Sequence, residues 1–262
     1  MFSAKIFDCR SIFIKVLPEM TKANASRKER ERKAREELIV EHARRLLLNQ
    51  GFQGFSLDDL AKSIEYSKGT IYLHFESKED LALAVATAAV KERAELFDRA
   101  VRFQGKSRER MRAVGFACCH FMKACPEYFN IELMMKSQSF WEKASEARRQ
   151  DHSFHVARAF RAILEAVHAG FESGDLPRGL MSAEQIALAL ASVTVGSHIM
   201  SQMPEMRIIA GVEDSVSVVR QNQDVMLDGL QWRPLLSDYD YRATDLRICA
   251  EVFPEASWFS AP

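Results

Sequence analysis

Apolar residues recur at three- and four-residue intervals along most of this chain, and no stretch alternates with the period of two that marks a half-buried strand. The pattern predicts an all-α protein. Residues 27–50 read as one helix, with Leu38, Ile39, Ala43, Leu46 and Leu47 at helical spacing and Gly51 in the C′ position. Three helix starts then fall within about two dozen residues. Ser56 caps the first, with Asp59 as its capping-box partner and Phe55 and Leu60 spaced as a hydrophobic staple. Ser67 caps the second, where Tyr66 and Ile71 repeat the staple spacing. Ser77 and Asp80 open the third, which runs over 78–103. Starts this close force two very short helices joined by a turn, the helix-turn-helix geometry in which the second helix enters the major groove of DNA. Leu46, Phe52, Phe55, Leu57, Leu60, Ala61, Ile64, Ile71 and Phe75 point inward, so 38–75 is expected to be a three-helix core.

The remainder continues in helices. The pattern predicts them over 108–125, 126–136 and 139–173, with Gly174 ending the last and 175–179 forming a loop. Ser182 and Gln185 make a further capping box, opening a helix that runs to about Gln202 and is closed by Pro204. A last helix spans about 212–230. Residues 231–262 hold Pro234, Pro254 and few periodic positions, and are expected to be a tail that packs on the body or is partly disordered.

Composition changes this picture only locally. The chain balances 36 basic against 36 acidic residues, but 20–55 carries nine basic and five acidic residues and 212–262 carries four basic and nine acidic. A basic front and an acidic back place any anionic partner at the front. The five cysteines (Cys9, Cys118, Cys119, Cys125 and Cys249) are odd in number and form no Cys-x-x-Cys, so they make no disulfide framework and point to a reducing cytoplasm. No apolar run approaches 18 residues, so no membrane span is expected. Met20 begins a polar leader, and translation is expected to start there, with residues 1–19 an added extension.

Residues 38–83 resemble the DNA-binding domain of TetR-family transcriptional regulators. The resemblance rests on Ala43, Leu46 to Gly51-Phe52, Ser56-Leu-Asp-Asp-Leu-Ala, Ser67-Lys-Gly-Thr-Ile-Tyr-Leu-His-Phe and Ser77-Lys-Glu-Asp-Leu. It departs from the family in the turn, where Glu65-Tyr66 stands in place of a small residue or glycine followed by Val or Ile. It implies four segments: 1–26 a flexible or added extension, 27–80 the helix-turn-helix domain, 81–231 an effector-binding and dimerisation body, and 232–262 a C-terminal tail. It also implies a DNA-facing set of Ser56, Ser67, Lys68, Gly69, Thr70, Tyr72, His74 and Lys78. In that set Lys68 and Thr70 read bases, together with Leu73, while Tyr72, His74 and Lys78 hold phosphates and Gly69 lets the backbone approach the groove.

By the same resemblance the partners are a palindromic double-stranded DNA operator, a second copy of the chain and a small-molecule effector of apolar or mixed character. The dimer face is expected on the helices near 183–202 and 212–230, where Ala187, Ala189, Ala191, Ser192 and Gly196 allow close approach. The effector pocket is expected within 108–173, with Phe121, Met134, Trp141 and His168 as its lining. No cofactor or metal is implied. The expected function is a ligand-responsive repressor. The alternative is a helical-bundle metal-binding or redox-sensing protein, resting on Glu165-Ala-Val-His168, on His152 and His155, and on Cys118, Cys119 and Cys125. No Gly-rich phosphate loop or nucleophile elbow supports an enzyme.

Overall fold

The computed structural model describes residues 27–126, 131, 138–179, 181–256 and 258–259, and among these every regular element is a helix. Three helices build the front unit: a long α1 (Arg27–Gly54), interrupted at Gly51, and the short α2 (Leu57–Ser63) and α3 (Lys68–Tyr72). The long α4 (Lys78–Ala100) leads into the body, formed by α5 (Ser107–Ala124), α6 (Gln138–Lys143), α7 (Glu146–Ser173), α8 (Ala183–Gln202), α9 (Pro204–Ala210), α10 (Ser215–Gly229) and α11 (Tyr241–Glu251).

Two apolar cores result. The front core joins Ile39, Ala43 and Leu47 of α1 to Phe55, Leu57, Leu60, Ile71 and Phe75, and closes on Leu81–Ala86 of α4. Leu46, Phe52 and Ile64 lie half-buried at its edge. The body core packs Ala94, Phe97 and Ala100 of α4 against α5, α7, α8 and the C-terminal segment. One continuous helix therefore supplies side chains to both cores.

Several boundaries differ from those the sequence pattern predicts. The helix expected over 139–173 is broken between α6 and α7. Ser145 adopts an extended conformation as N-cap of α7, and its N–H and Oγ donate to Asp80 Oδ1 at 3.0 and 2.7 Å. Pro204 occupies the first turn of α9 instead of merely ending α8, a position where its missing N–H is not needed. Most of the helix expected over 126–136 lies outside the described residues, as do residues 1–26 and with them the Met20 start.

Of the two outcomes expected for the tail, packing on the body is the one found, and it includes a helix that the pattern did not predict. Residues 232–256 are packed into the body, with Trp232, Ile248 and Phe253 fully buried and α11 lying along α5. Tyr241, Thr244, Asp245 and Ile248 form the buried face of α11 at helical spacing. Half of that face is polar, so hydrophobic periodicity misses it. Its polar members are satisfied from α5: Thr244 Oγ1 donates to Glu109 Oε1 at 2.7 Å, and Arg112 donates to both oxygens of Asp245 at 2.7 and 2.9 Å.

Candidate DNA-binding surface and body cavity

The helix-turn-helix is set by side-chain caps. Ser56 Oγ accepts from Asp59 N at 3.1 Å, Ser67 Oγ from Thr70 N at 3.0 Å, and Ser77 Oγ from Asp80 N at 2.9 Å. The reciprocal half of the expected boxes is rearranged. The Asp59 carboxylate accepts from Ser56 Oγ, and Asp80 Oδ2 accepts from Glu76 N. Between α2 and α3 the chain forms a Schellman turn. Tyr66 N donates to Ala61 O at 2.9 Å, and Glu65 N donates to Lys62 O at 3.3 Å. Glu65 occupies the left-handed position of that motif, with φ of 56°. Tyr66 packs half-buried against the front core, which fixes the turn from inside.

These constraints leave one face of α3 in solvent. Tyr72 is 49% and Leu73 78% exposed. Lys68 is exposed, and its Nζ donates to Asp58 Oδ2 at 2.8 Å. That hydrogen bond and charge raise the pKa of its ammonium. Lys68 can reach a phosphate or a base only by exchanging this partner. Thr70 Oγ1 sits 2.9 Å from Ser67 Oγ at the edge of the same face. A Cβ on Gly69 would meet Ser67 Oγ at 3.6 Å, an ordinary contact, so the protein's own packing does not require glycine there. Lys78 lies beside this face, its ammonium 4.5 Å from the Phe52 ring centroid and 3.5 Å from Gln53 O. The basic first turns of α1, Arg27 to Arg35, are exposed.

His74 does not join them. Its side chain is only 6% exposed, and Nδ1 lies 3.9 Å from Glu36 Oε2 of α1. The five-residue α3 ends at Tyr72, and the turn after it swings His74 inward. Arg148 of α7 reaches the same corner, donating to Glu36 Oε1 at 2.5 Å and to His74 O at 3.4 Å.

A cavity of about 360 Å³ lies in the body between α4, α5, α7, α8 and α10. Its walls are mostly apolar, with Phe97 from α4, Met111, Val114 and Cys118 from α5, Val156, Phe160 and Ile163 from α7, and Leu188 and Val195 from α8. One side is polar, formed by Arg112, Thr194, Arg220, Gln223 and Asp224, with Arg93 also on the lining. Arg112 donates to Asp224 and to Asp245. Burial pulls its pKa down, but the two carboxylates more than offset this and the net shift is upward.

None of the expected pocket residues among the described ones lines this cavity. Phe121 continues the α5 stripe beyond the cavity's end and is buried in the core. Trp141 packs on the front core and edge-on to His152. His168 is exposed, because the lining face of α7 is 156, 159, 160 and 163 and five further residues turn it away. Met134 lies outside the described residues. The polar wall was legible in part. Arg108 and Arg112 fall in the same helical stripe as Met111 and Gly115, and charges inside an apolar stripe mark a satisfied network or a ligand wall.

Glu165 and His168 are both exposed, and among the described residues no three His, Cys, Asp or Glu side chains gather as a metal site. Cys119 is fully buried, and burial pushes its thiol pKa up to about 12, which keeps it protonated and unreactive.

A helix-turn-helix with an exposed second helix, joined by one long helix to an all-helical body that holds a cavity, defines the geometry of a DNA-binding module carried on a helical body. Residues 39–85 match the model for bacterial regulatory proteins of the tetR family. That match identifies the front unit, and not the whole chain, as similar to the tetR-family DNA-binding domain. Over 89 residues it is 37% identical to the HTH-type transcriptional regulator EthR of Mycolicibacterium smegmatis, a match spanning 31% of this chain and 41% of that protein. In three dimensions it is similar to a regulator from Saccharomonospora viridis solved in complex with choline, with a TM-score of 0.55 and 21% identity over 75% of this chain and 96% of the other. It is also similar to the regulator FadR of Bacillus subtilis in complex with stearoyl-CoA, with a TM-score of 0.55 and 16% identity over 74% and 98% of the two chains. At these identities the structural likeness concerns the fold.

Proposed function

We propose that the protein is a transcriptional regulator, not an enzyme, that binds a palindromic operator as a homodimer in the cytoplasm and releases it when a small molecule fills the body cavity. The observation that carries this reading is α4, whose first turns belong to the front core and whose later turns, Arg93 and Phe97, line the cavity. A change at the cavity wall is thereby tied to the position of α3. The two solved relatives hold ligands, which supports a ligand-responsive body. On the exposed side of α8 and α10 stand Met200 and Val225, apolar residues suited to a two-fold interface. Ala187, by contrast, is buried in the body core and takes no part in such a face. No single helix among the described residues is long and apolar enough to cross a membrane.

Lys68, Gly69, Thr70, Tyr72 and Lys78 form the DNA-facing set, with Ser56 and Ser67 holding the two helices as caps. Lys68 gives up Asp58 for DNA, and Tyr72 contacts the backbone. The test is selection of bound sequences from random DNA, followed by gel shifts with the selected site. Lys68→Ala weakens binding and lowers the salt slope by about one, and Tyr72→Ala weakens it with little change in preferred sequence. Wild-type affinity in both variants would show that α3 is not the reading element.

A further inference from the structure

One stripe along α1 changes chemistry where it leaves the front core. Ile39, Ala43 and Leu47 are its buried positions. Continued toward the start of the helix at the same spacing of three and four residues, the stripe passes through Arg35, Arg32 and Lys28. These three residues therefore share the side of α1 that faces the front core, but lie beyond the last buried position. They also precede residues 39–85, the part that matches the tetR-family model. All three are exposed, and among the described residues none of their side chains has a hydrogen bond or an ion pair.

The carboxylates of the same turns do not neutralise them. Glu31 accepts from Arg27 at 2.8 Å, Glu36 accepts from Arg148 at 2.5 Å, and Glu37 stands 3.9 Å from Lys33. Glu29 is likewise engaged, and with none of the three. The stripe leaves the core at the corner that ends α3, where Glu36 Oε2 lies 3.9 Å from His74 Nδ1. Tyr72 before this corner and Lys78 after it belong to the proposed DNA-facing set, so a duplex seated on α3 runs past it. From Arg35 to Lys28 the helix covers about 10 Å. One strand of B-DNA places a phosphate about every 3.4 Å along its axis, so the stripe spans about three of them. We propose that Lys28, Arg32 and Arg35 form a second DNA contact, holding phosphates of the duplex that flanks the site read by α3. This rests on the reading of α3 as the operator-binding helix. Such a contact supplies affinity and register but no sequence preference.

Fluorescence anisotropy with two duplexes tests the proposal, one holding only the selected site and one extended by about ten base pairs, a helical turn, at each end. The full chain is expected to bind the longer duplex at least ten-fold more tightly at the same salt. Lys28→Gln/Arg32→Gln/Arg35→Gln is expected to remove that difference, to lower the salt slope on the longer duplex by about three per protomer, and to keep the sequence preference. Glutamine is a good helix former and the three positions are exposed, so this variant keeps its fold. Lys33→Gln/Arg45→Gln removes cations from other sides of α1 and is expected to keep the difference. Equal binding of the two duplexes by the unmodified chain, an unchanged difference in the triple variant, or an equal loss in the Lys33/Arg45 variant would each overturn the proposal while leaving the regulator reading in place. Absence of any sequence-selective binding would overturn both.

Discussion

Glu65 holds a left-handed backbone position that favours glycine, and replacing it with glycine should stabilise the protein. It sits at the C′ position of the Schellman turn with φ of 56°, is exposed, and is followed by a half-buried Tyr66 that locks the turn. A left-handed conformation costs a residue with a Cβ about 1–2 kcal/mol. Glycine avoids this cost but makes the unfolded chain more flexible, a penalty of about 0.4–1 kcal/mol. The expected net gain for Glu65→Gly is therefore about 0.5–1 kcal/mol, or a rise of about 1–4 °C in Tm for a chain of this size.

Urea denaturation followed by far-UV circular dichroism measures it, with Glu65→Ala as the control. Alanine keeps the Cβ and the left-handed cost, so that variant should stay within about 0.5 kcal/mol of wild type, as exposed substitutions do. A gain for glycine and none for alanine isolates the backbone term. Equal midpoints for both variants, or destabilisation by glycine, would refute the argument that the Cβ at this turn is strained.

Gly170→Ala should destabilise the body by about 1–3 kcal/mol in the same denaturation assay, because its Cβ would lie 2.8 Å from the fully buried Trp232 ring; an unchanged midpoint would mean that the tail is not held against α7 there. Burial lowers the pKa of His120, His155 and His198 in the fold, so the unfolded chain binds more protons than the native state as pH falls below the ordinary histidine value of about 6.5. Stability should be full above that pH and decline from there down through the folded pKa values, and urea midpoints at pH 7.5 and 5.5 that coincide would contradict it. Arg148→Gln should leave ligand affinity at the cavity unchanged while blunting ligand-driven release from the operator, read by pairing calorimetry with gel shifts; full release in this variant would show that the α7 corner carries no signal.

The front unit was legible because its information is local. Three serine caps, two staple pairs and the apolar spacing from Ile39 to Phe75 all lie within a few residues of the backbone they determine. Elements that depend on distant partners were not. The break before α7 exists because Asp80, 65 residues away, takes the Ser145 N–H. The helix α11 is buried through Thr244 and Asp245, whose partners Glu109 and Arg112 lie more than 130 positions upstream. The cavity escaped for a different reason. An apolar stripe has the same period whether it faces another helix or an empty volume, so Phe121 and Ile163 are equivalent in sequence although only Ile163 lines the cavity. His74 was misplaced because the sequence pattern cannot show which way a side chain leaves a five-residue helix.

Two helical connections, not one, join the cavity to α3, the helix proposed to face DNA. Along α4 the front and body cores share a single rod. The second runs through α7, whose Val156, Ala159, Phe160 and Ile163 line the cavity while Arg148, eight residues earlier and about 12 Å along the axis, holds Glu36 and the His74 carbonyl. α4 and α7 pack against each other more extensively than any other pair of helices described. A ligand between them can part them only at the cavity end, because Ser145 and Asp80 pin them at the other. Two rods pinned at one end and spread at the other pivot about the pin. The pin lies beside His74 and Phe75, immediately after α3, so under the proposed function the pivot is the motion that would change the tilt of α3 without unfolding its caps. In a dimer a tilt shared by two recognition helices changes their separation, the one distance that a palindromic site cannot adjust.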